Sequence, residues 1–120
     1  MTFSVKTSSF EMQTAGFGDI LDITRQVAKG VSGSGLSDGT ATVFVPGSTA
    51  GITTIEYEPG AVEDLKKAIE RQASANLHYA HDARWGDGNG FSHVRAALMG
   101  ASLTIPFTRG ELQLGTWQQI

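Results

Sequence analysis

The sequence predicts an α+β fold: a largely antiparallel β-sheet, or two sheets stacked as a sandwich, carrying two or three helices. Three observations lead there. Short β-branched or alternating segments recur at 40–45, 51–58, 101–107 and 111–120. Two segments carry a helical apolar stripe. Strands and helices follow one another without the regular alternation that successive parallel βαβ units impose. With 120 residues the chain suits one domain, taken as 1–120.

Each element has its local reason. Phe3 and Val5 alternate with polar neighbours in "TFSVKTSS", the pattern of an edge-like strand. Ile20, Leu21 and Ile23 fit a short buried strand. Thr24 is a favourable N-cap for a helix over 25–31, with Ile23, Val27 and Val31 on one stripe. "GSGLSDG" ends that helix. "TATVFV" reads as a strand stopped by Pro46 and Gly47, and "GITTIEYE" as the next. "AVEDLKKAIERQA" places Val62, Leu65, Ile69 and Ala73 on one face, with Glu63 and Lys67 paired on another. Ser92 caps a helix over "SHVRAALMG", where Val94 and Leu98 share a face and Gly100 terminates. "ASLTIPF" and "ELQLGTWQQI" form two strands joined at "TRG". Trp117 is expected to pack in the core.

Composition excludes several functions. Net charge is −3 with no basic run, which argues against phosphate-driven nucleic-acid binding. There is no cysteine, hence no disulfide and no thiolate ligand, as in a reducing cytoplasm. No apolar run marks a signal peptide or membrane span. A cytoplasmic location is the expectation.

The chemistry concentrates in "HDARWGDGNGFSH", from His81 to His93. A loop folding back brings both histidines to one ion as neutral imidazoles, with Asp82 or Asp87 completing the shell; the plain alternative is two separate surface histidines. The EF-hand template fails, because position 3 counted from Asp82 is Arg84 and position 12 is His93. Gly86, Gly88 and Gly90 serve either sharp turns or close approach to a ligand. "VPGSTAG" offers amides with the Ser48 and Thr49 hydroxyls as an anion nest, or an ordinary turn. No Gly-x-Ser-x-Gly elbow exists. Gln118 and Gln119 alternate faces, so one of them turns inward or toward a partner.

Together "VFVPGSTAGITTIEYEP", "YAHDARWGDGNGFSHVRAALMGASLTIPF" and "GELQLGTWQQI" resemble the YjbQ-like family in motif and order. The resemblance implies an α+β subunit assembling as a homotrimer, a polar pocket near the histidines, and a secondary thiamine-phosphate synthase activity. That reaction couples a pyrimidine diphosphate to a thiazole phosphate and releases pyrophosphate. The family's Tyr-x-His falls on Tyr79 and His81, its acidic-Gly-Asn on Asp87, Gly88 and Asn89, and its helix-opening His on His93. Its Ser-Leu-Thr-Ile/Val-Pro falls on 102–106 and its Gly-Thr-Trp-Gln on 115–118. Where many members place a histidine after the strand proline, this chain has Gly47, so a third imidazole is missing.

This reading makes His93 and Asp87 the catalytic candidates. His81, His93 and Asp87 are the ligands of a divalent metal, Zn or Mg. Ser48, Thr49, Arg84, Asn89 and Gln118 contact a small phosphorylated or anionic substrate. The alternative is a trimer that binds a metal or anion without turnover. Neither reading calls for nucleic acid or membrane.

Overall fold

A computed structural model describes residues 2–120. The fold is α+β with antiparallel sheets. Its elements are α1 (Thr24–Gly33), β1 (Gly39–Phe44), β2 (Ile55–Glu56), α2 (Pro59–Gln72), α3 (Ala80–Trp85), α4 (Gly90–Met99), β3 (Ser102–Thr108), β4 (Glu111–Leu112) and β5 (Gln118–Gln119). One sheet runs β1-β3-β4, and a second pairs β2 with β5. In the first, Gly39 opposes Phe107 and Phe44 opposes Ser102. Arg109 and Gly110 both take positive φ, +54° and +75°, as a two-residue hairpin turn between β3 and β4 demands.

The core follows from strand alternation. Val43, Leu103, Ile105 and Leu112 gather on one side of the sheet, where Val27 of α1 and Ile120 meet them. Val27 and Val31 are buried, on the stripe their spacing predicts. Glu58 caps α2, its carboxylate accepting the N–H groups of Gly60 and Ala61, and Pro59 occupies the first turn, where no N–H is needed.

The structure differs from several sequence expectations. The described residues hold four helices, not two or three. The extra one is α3, six residues too short to show a stripe, which Gly86 ends in the left-handed conformation at φ +71°. The segment around Phe3 and Val5 is not a strand. Both side chains are exposed and no strand among the described residues pairs with it, and alternation alone cannot make a strand without a hydrogen-bonding partner. Residues 20–23 are irregular, with Ile23 N–H bonded to the Ile120 carbonyl at 2.9 Å. Thr24 is the first residue of α1 rather than its cap. Its hydroxyl donates to Asp22 Oδ1 and accepts the Ile120 N–H, both at 2.7 Å. Of 51–58 only 55–56 are strand, and 111–120 divides into β4 and β5. Ser92 lies buried inside α4, which starts at Gly90 after Asn89. Val94 and Leu98 are exposed, because the buried residues of α4 are confined to its first turn, Gly90, Phe91 and Ser92, and the helix leaves the core beyond it. Trp117 is 71% exposed, since it sits in the turn before β5 and not within a strand.

One polar latch joins α2 to α4. Arg95 donates from Nε to the Ala73 carbonyl at 2.9 Å and from its guanidinium to Glu70 at 2.5 Å, and stands 4.8 Å over the Phe91 ring. The Ser74 hydroxyl, then Arg95, hold the Glu70 carboxyl below its ordinary value of 4.5. A carboxylate depressed in the fold stabilises above its unfolded value and ceases to do so as pH falls through its folded value. Thermal melting followed from about pH 7 to about pH 3 is therefore expected to show an acid loss that Glu70→Gln diminishes. An identical pH slope in the variant would exclude the latch as its source.

Candidate functional site

The site forms where α3 ends and α4 begins. Tyr79 is extended, then α3 places His81 and Asp82 in its first turn. Gly86 stops the helix, Gly88 turns the chain at φ +70°, and α4 starts at Gly90. Asp82 Oδ1 accepts the Gly90 N–H at 2.8 Å, which pins the two helices together. Glycine is required at 90 for space. A Cβ there would lie 2.6 Å from Tyr79 Cβ and 3.0 Å from Asp82 Oδ1.

This turn folds the acids onto the imidazole. His81 Nδ1 is 3.2 Å from Asp87 Oδ1 and 3.5 Å from Asp82 Oδ1. One ligand atom from each of the three lies within 4.8 Å of the others. Asn89 braces Asp87: with its carboxamide nitrogen facing the carboxylate, it donates at 3.1 and 3.3 Å. The ring of His93 stands 4.4 Å from that of His81, tilted by 51°. His93 Nδ1 is 3.1 Å from the Ser48 carbonyl oxygen. A carbonyl only accepts, so Nδ1 carries the proton, and Nε2 of neutral His93 keeps its lone pair.

The structure thus brings together His81, Asp87, Asn89 and His93, with Asp82 beside them. Ser48 joins through its main-chain oxygen, an acceptor that holds a histidine and not an anion. The loop bringing it there has Gly47 at φ +118°, a conformation side chains rarely adopt. Thr49 is exposed in the same loop. Arg84 lies over Trp85, its guanidinium 5.2 Å from the ring centroid. Gln118 lines a separate groove with Thr53, Thr104 and Gln113 that none of the histidine or aspartate ligands lines. Its amide spans Thr54 Oγ1 at 3.1 Å and Gly115 N–H at 3.0 Å. Sequence reasoning missed the Ser48 carbonyl and the packing role of Gly90. The first has no side-chain signal, and the second shows only as one glycine among several.

The family model described as "UPF0047 protein YjbQ-like" matches residues 8–120. The chain belongs to that family. A UPF0047 protein of Methanothermobacter thermautotrophicus is 34% identical over 116 residues, 97% of this chain and 80% of its own length. UPF0047 protein YugU of Bacillus subtilis is 33% identical, over 93% of this chain and 83% of its own. An uncharacterized conserved protein of the YjbQ/UPF0047 family from Clostridium acetobutylicum superposes with a TM-score of 0.80 at 38% identity, over 89% of this chain and 81% of that one. Members of the YjbQ-like family therefore share this α+β architecture. None of these names states a reaction, so function must be argued from the site. Among the described residues no helix is long and apolar enough to cross a membrane.

Proposed function

We propose that His81, Asp82 and Asp87 hold a divalent metal ion, and that His93 works beside it on a small phosphorylated or anionic molecule. The observation that carries this reading is the convergence of one imidazole nitrogen and two carboxylate oxygens within 4.8 Å. Metal–ligand distances of about 2.0–2.2 Å ask these atoms for only a modest closing movement. A mixed nitrogen–oxygen set suits zinc better than magnesium, which favours oxygen alone. Such an ion, when bound, neutralises charge on phosphate oxygens or acidifies a bound water.

The chain's own groups supply the rest. His93, held by Ser48, offers Nε2 as a further ligand or as the acceptor of a proton. Asp87 is half-exposed and braced by Asn89, so its carboxylate faces an arriving ligand. The reaction the resemblance implies fits these parts: a pyrimidine diphosphate joins a thiazole phosphate, and negative charge gathers on the departing pyrophosphate. Binding without turnover is the second reading. It is favoured by the position of Arg84, whose guanidinium is stacked over Trp85, 5.2 Å from the ring centroid. Assembly as a homotrimer in the cytoplasm belongs to either reading. It is supported by the exposure of Leu77, Trp85, Leu98 and Trp117 and by the absence of cysteine.

Metal content by elemental mass spectrometry, with assembly mass and product formation from the two thiamine precursors, tests the proposal. The wild type is expected to carry stoichiometric metal and His81→Ala none. His93→Ala is expected to keep its assembly and most of its metal while losing about 10²–10⁴-fold in rate. Metal-loaded wild type that forms no product selects the binding reading. No metal in any sample sinks the metal site.

A further inference from the structure

The loop that touches His93 is rooted on the helix that carries it. Residues 46–51 follow β1 and are all exposed. Both flanks are pinned to neighbouring carbonyls just beyond α4. Val45 N–H donates to the Ala101 carbonyl and Ile52 N–H to the Gly100 carbonyl, both at 2.9 Å. Surface loops whose ends lie close together are compact and frequently functional. Among the described residues, 46–51 reach another element through one hydrogen-bond contact, the Ser48 carbonyl oxygen with His93 Nδ1 at 3.1 Å. Loop root and imidazole thus share one frame, the stretch of α4 from His93 to Met99.

Gly51 sets how closely that root sits. A Cβ at this position would lie 2.6 Å from Met99 Cγ, 2.7 Å from Met99 Cβ and 3.1 Å from the Gly100 carbonyl oxygen, against 3.4–4 Å for ordinary contact. Met99 Cβ is attached to the main chain and cannot swing aside, so a side chain at 51 must lift the loop. The glycine supplies space for a close approach; the positive φ of this loop belongs to Gly47. The Ser48–His93 contact has no slack to absorb the movement, because 3.1 Å is already near the long end for a nitrogen–oxygen hydrogen bond.

We propose that Gly51 is a positioning residue for His93, an inference that rests on the role proposed for His93 above. By letting the loop seat on the end of α4, Gly51 holds the Ser48 carbonyl against Nδ1. The proton is thereby fixed on Nδ1, and Nε2 keeps its lone pair in a ring that stands 4.4 Å from that of His81. Which imidazole nitrogen is protonated follows from the hydrogen bond the other makes, and a neutral histidine without such a partner favours the proton on Nε2. With the loop lifted, Nε2 carries the proton. His93 can then neither accept a proton nor bind a metal at that atom until it changes tautomer. Gly51 is no part of the cluster and acts through Ser48.

Nitrogen NMR of the imidazoles reads the tautomer directly, on the full chain without added metal and with the His93 signals assigned from His93→Ala. The wild type is expected to show a protonated Nδ1 and an unprotonated Nε2 at His93, a measurement that needs no variant to fold. Gly51→Ala is expected to reverse that pattern, to keep the zinc that His81, Asp82 and Asp87 hold, and to lose about 10²-fold in rate with the two thiamine precursors. Adding Met99→Gly removes the Cβ and Cγ that the alanine methyl meets, and is expected to restore the wild-type pattern. A wild type protonated at Nε2, an unchanged tautomer in Gly51→Ala, zinc lost together with the tautomer, or no recovery in the double variant would each overturn the assignment. A zinc-loaded wild type without product defeats the catalytic reading instead, and the tautomer pattern still decides the place of Gly51.

Discussion

Gly90→Ala is expected to cost about 3 kcal/mol in urea unfolding, the upper end of the range for overpacking a tight contact. The added methyl would stand 2.6 Å from Tyr79 Cβ and 3.0 Å from both Tyr79 Cγ and Asp82 Oδ1. Tyr79 Cβ is attached to the main chain and cannot swing away, and the tyrosine is tethered at its far end by a hydroxyl bond to the Ser74 carbonyl at 2.7 Å. Relief must come by separating α3 from α4. That movement draws Gly90 N–H off Asp82 and His93 away from His81, so metal affinity should fall together with stability. Gly86 and Gly88 provide the contrast. Both have positive φ, and a Cβ at either meets open space, so alanine there pays only for conformation, about 1–2 kcal/mol. A Gly90→Ala variant no less stable than Gly88→Ala would show that the helices are not held at this contact.

The same residues explain what was legible in the sequence. Helix α2 announces itself through length: fourteen residues are enough for an apolar stripe and a charged stripe to separate. Helix α3 does not. Its six residues span less than two turns, and their histidine and aspartate look like loop composition. Alternation at Phe3 and Val5 is a necessary sign of a strand but not a sufficient one, because pairing depends on where another strand lies. Trp117 is apolar by composition yet exposed, since a turn lifts it off the sheet. At the site, His81, Asp87 and His93 were readable because ligand-type side chains crowd into one glycine-rich stretch. Asp82 was readable only as an alternative to Asp87. The structure sets both beside His81, because a helical first turn and a tight glycine turn converge there. No pattern of side chains announces the Ser48 carbonyl, which selects the tautomer of His93 from 45 positions away.

Asp82 has two duties, and separating them is the sharpest test of the metal site. Its Oδ1 accepts the N–H of buried Gly90 and also lies 3.5 Å from His81 Nδ1. Asp82→Asn keeps an oxygen acceptor for Gly90 but removes the charge. Its expected cost in stability is the difference between a charge-assisted and a neutral hydrogen bond, about 1 kcal/mol. Its expected cost in metal affinity, by isothermal titration with zinc, is at least about 10–100-fold, because an anionic ligand becomes a neutral amide. Asp82→Ala removes both functions, and leaves the Gly90 N–H without its partner for a further loss of about 1–3 kcal/mol. The two variants should therefore diverge in unfolding and agree in titration. If Asp82→Asn instead bound zinc as tightly as the wild type, Asp82 would be a structural clasp alone. The ligands would then be His81, Asp87 and, through its free Nε2, His93, a set that Ser48 completes by holding the second imidazole in place.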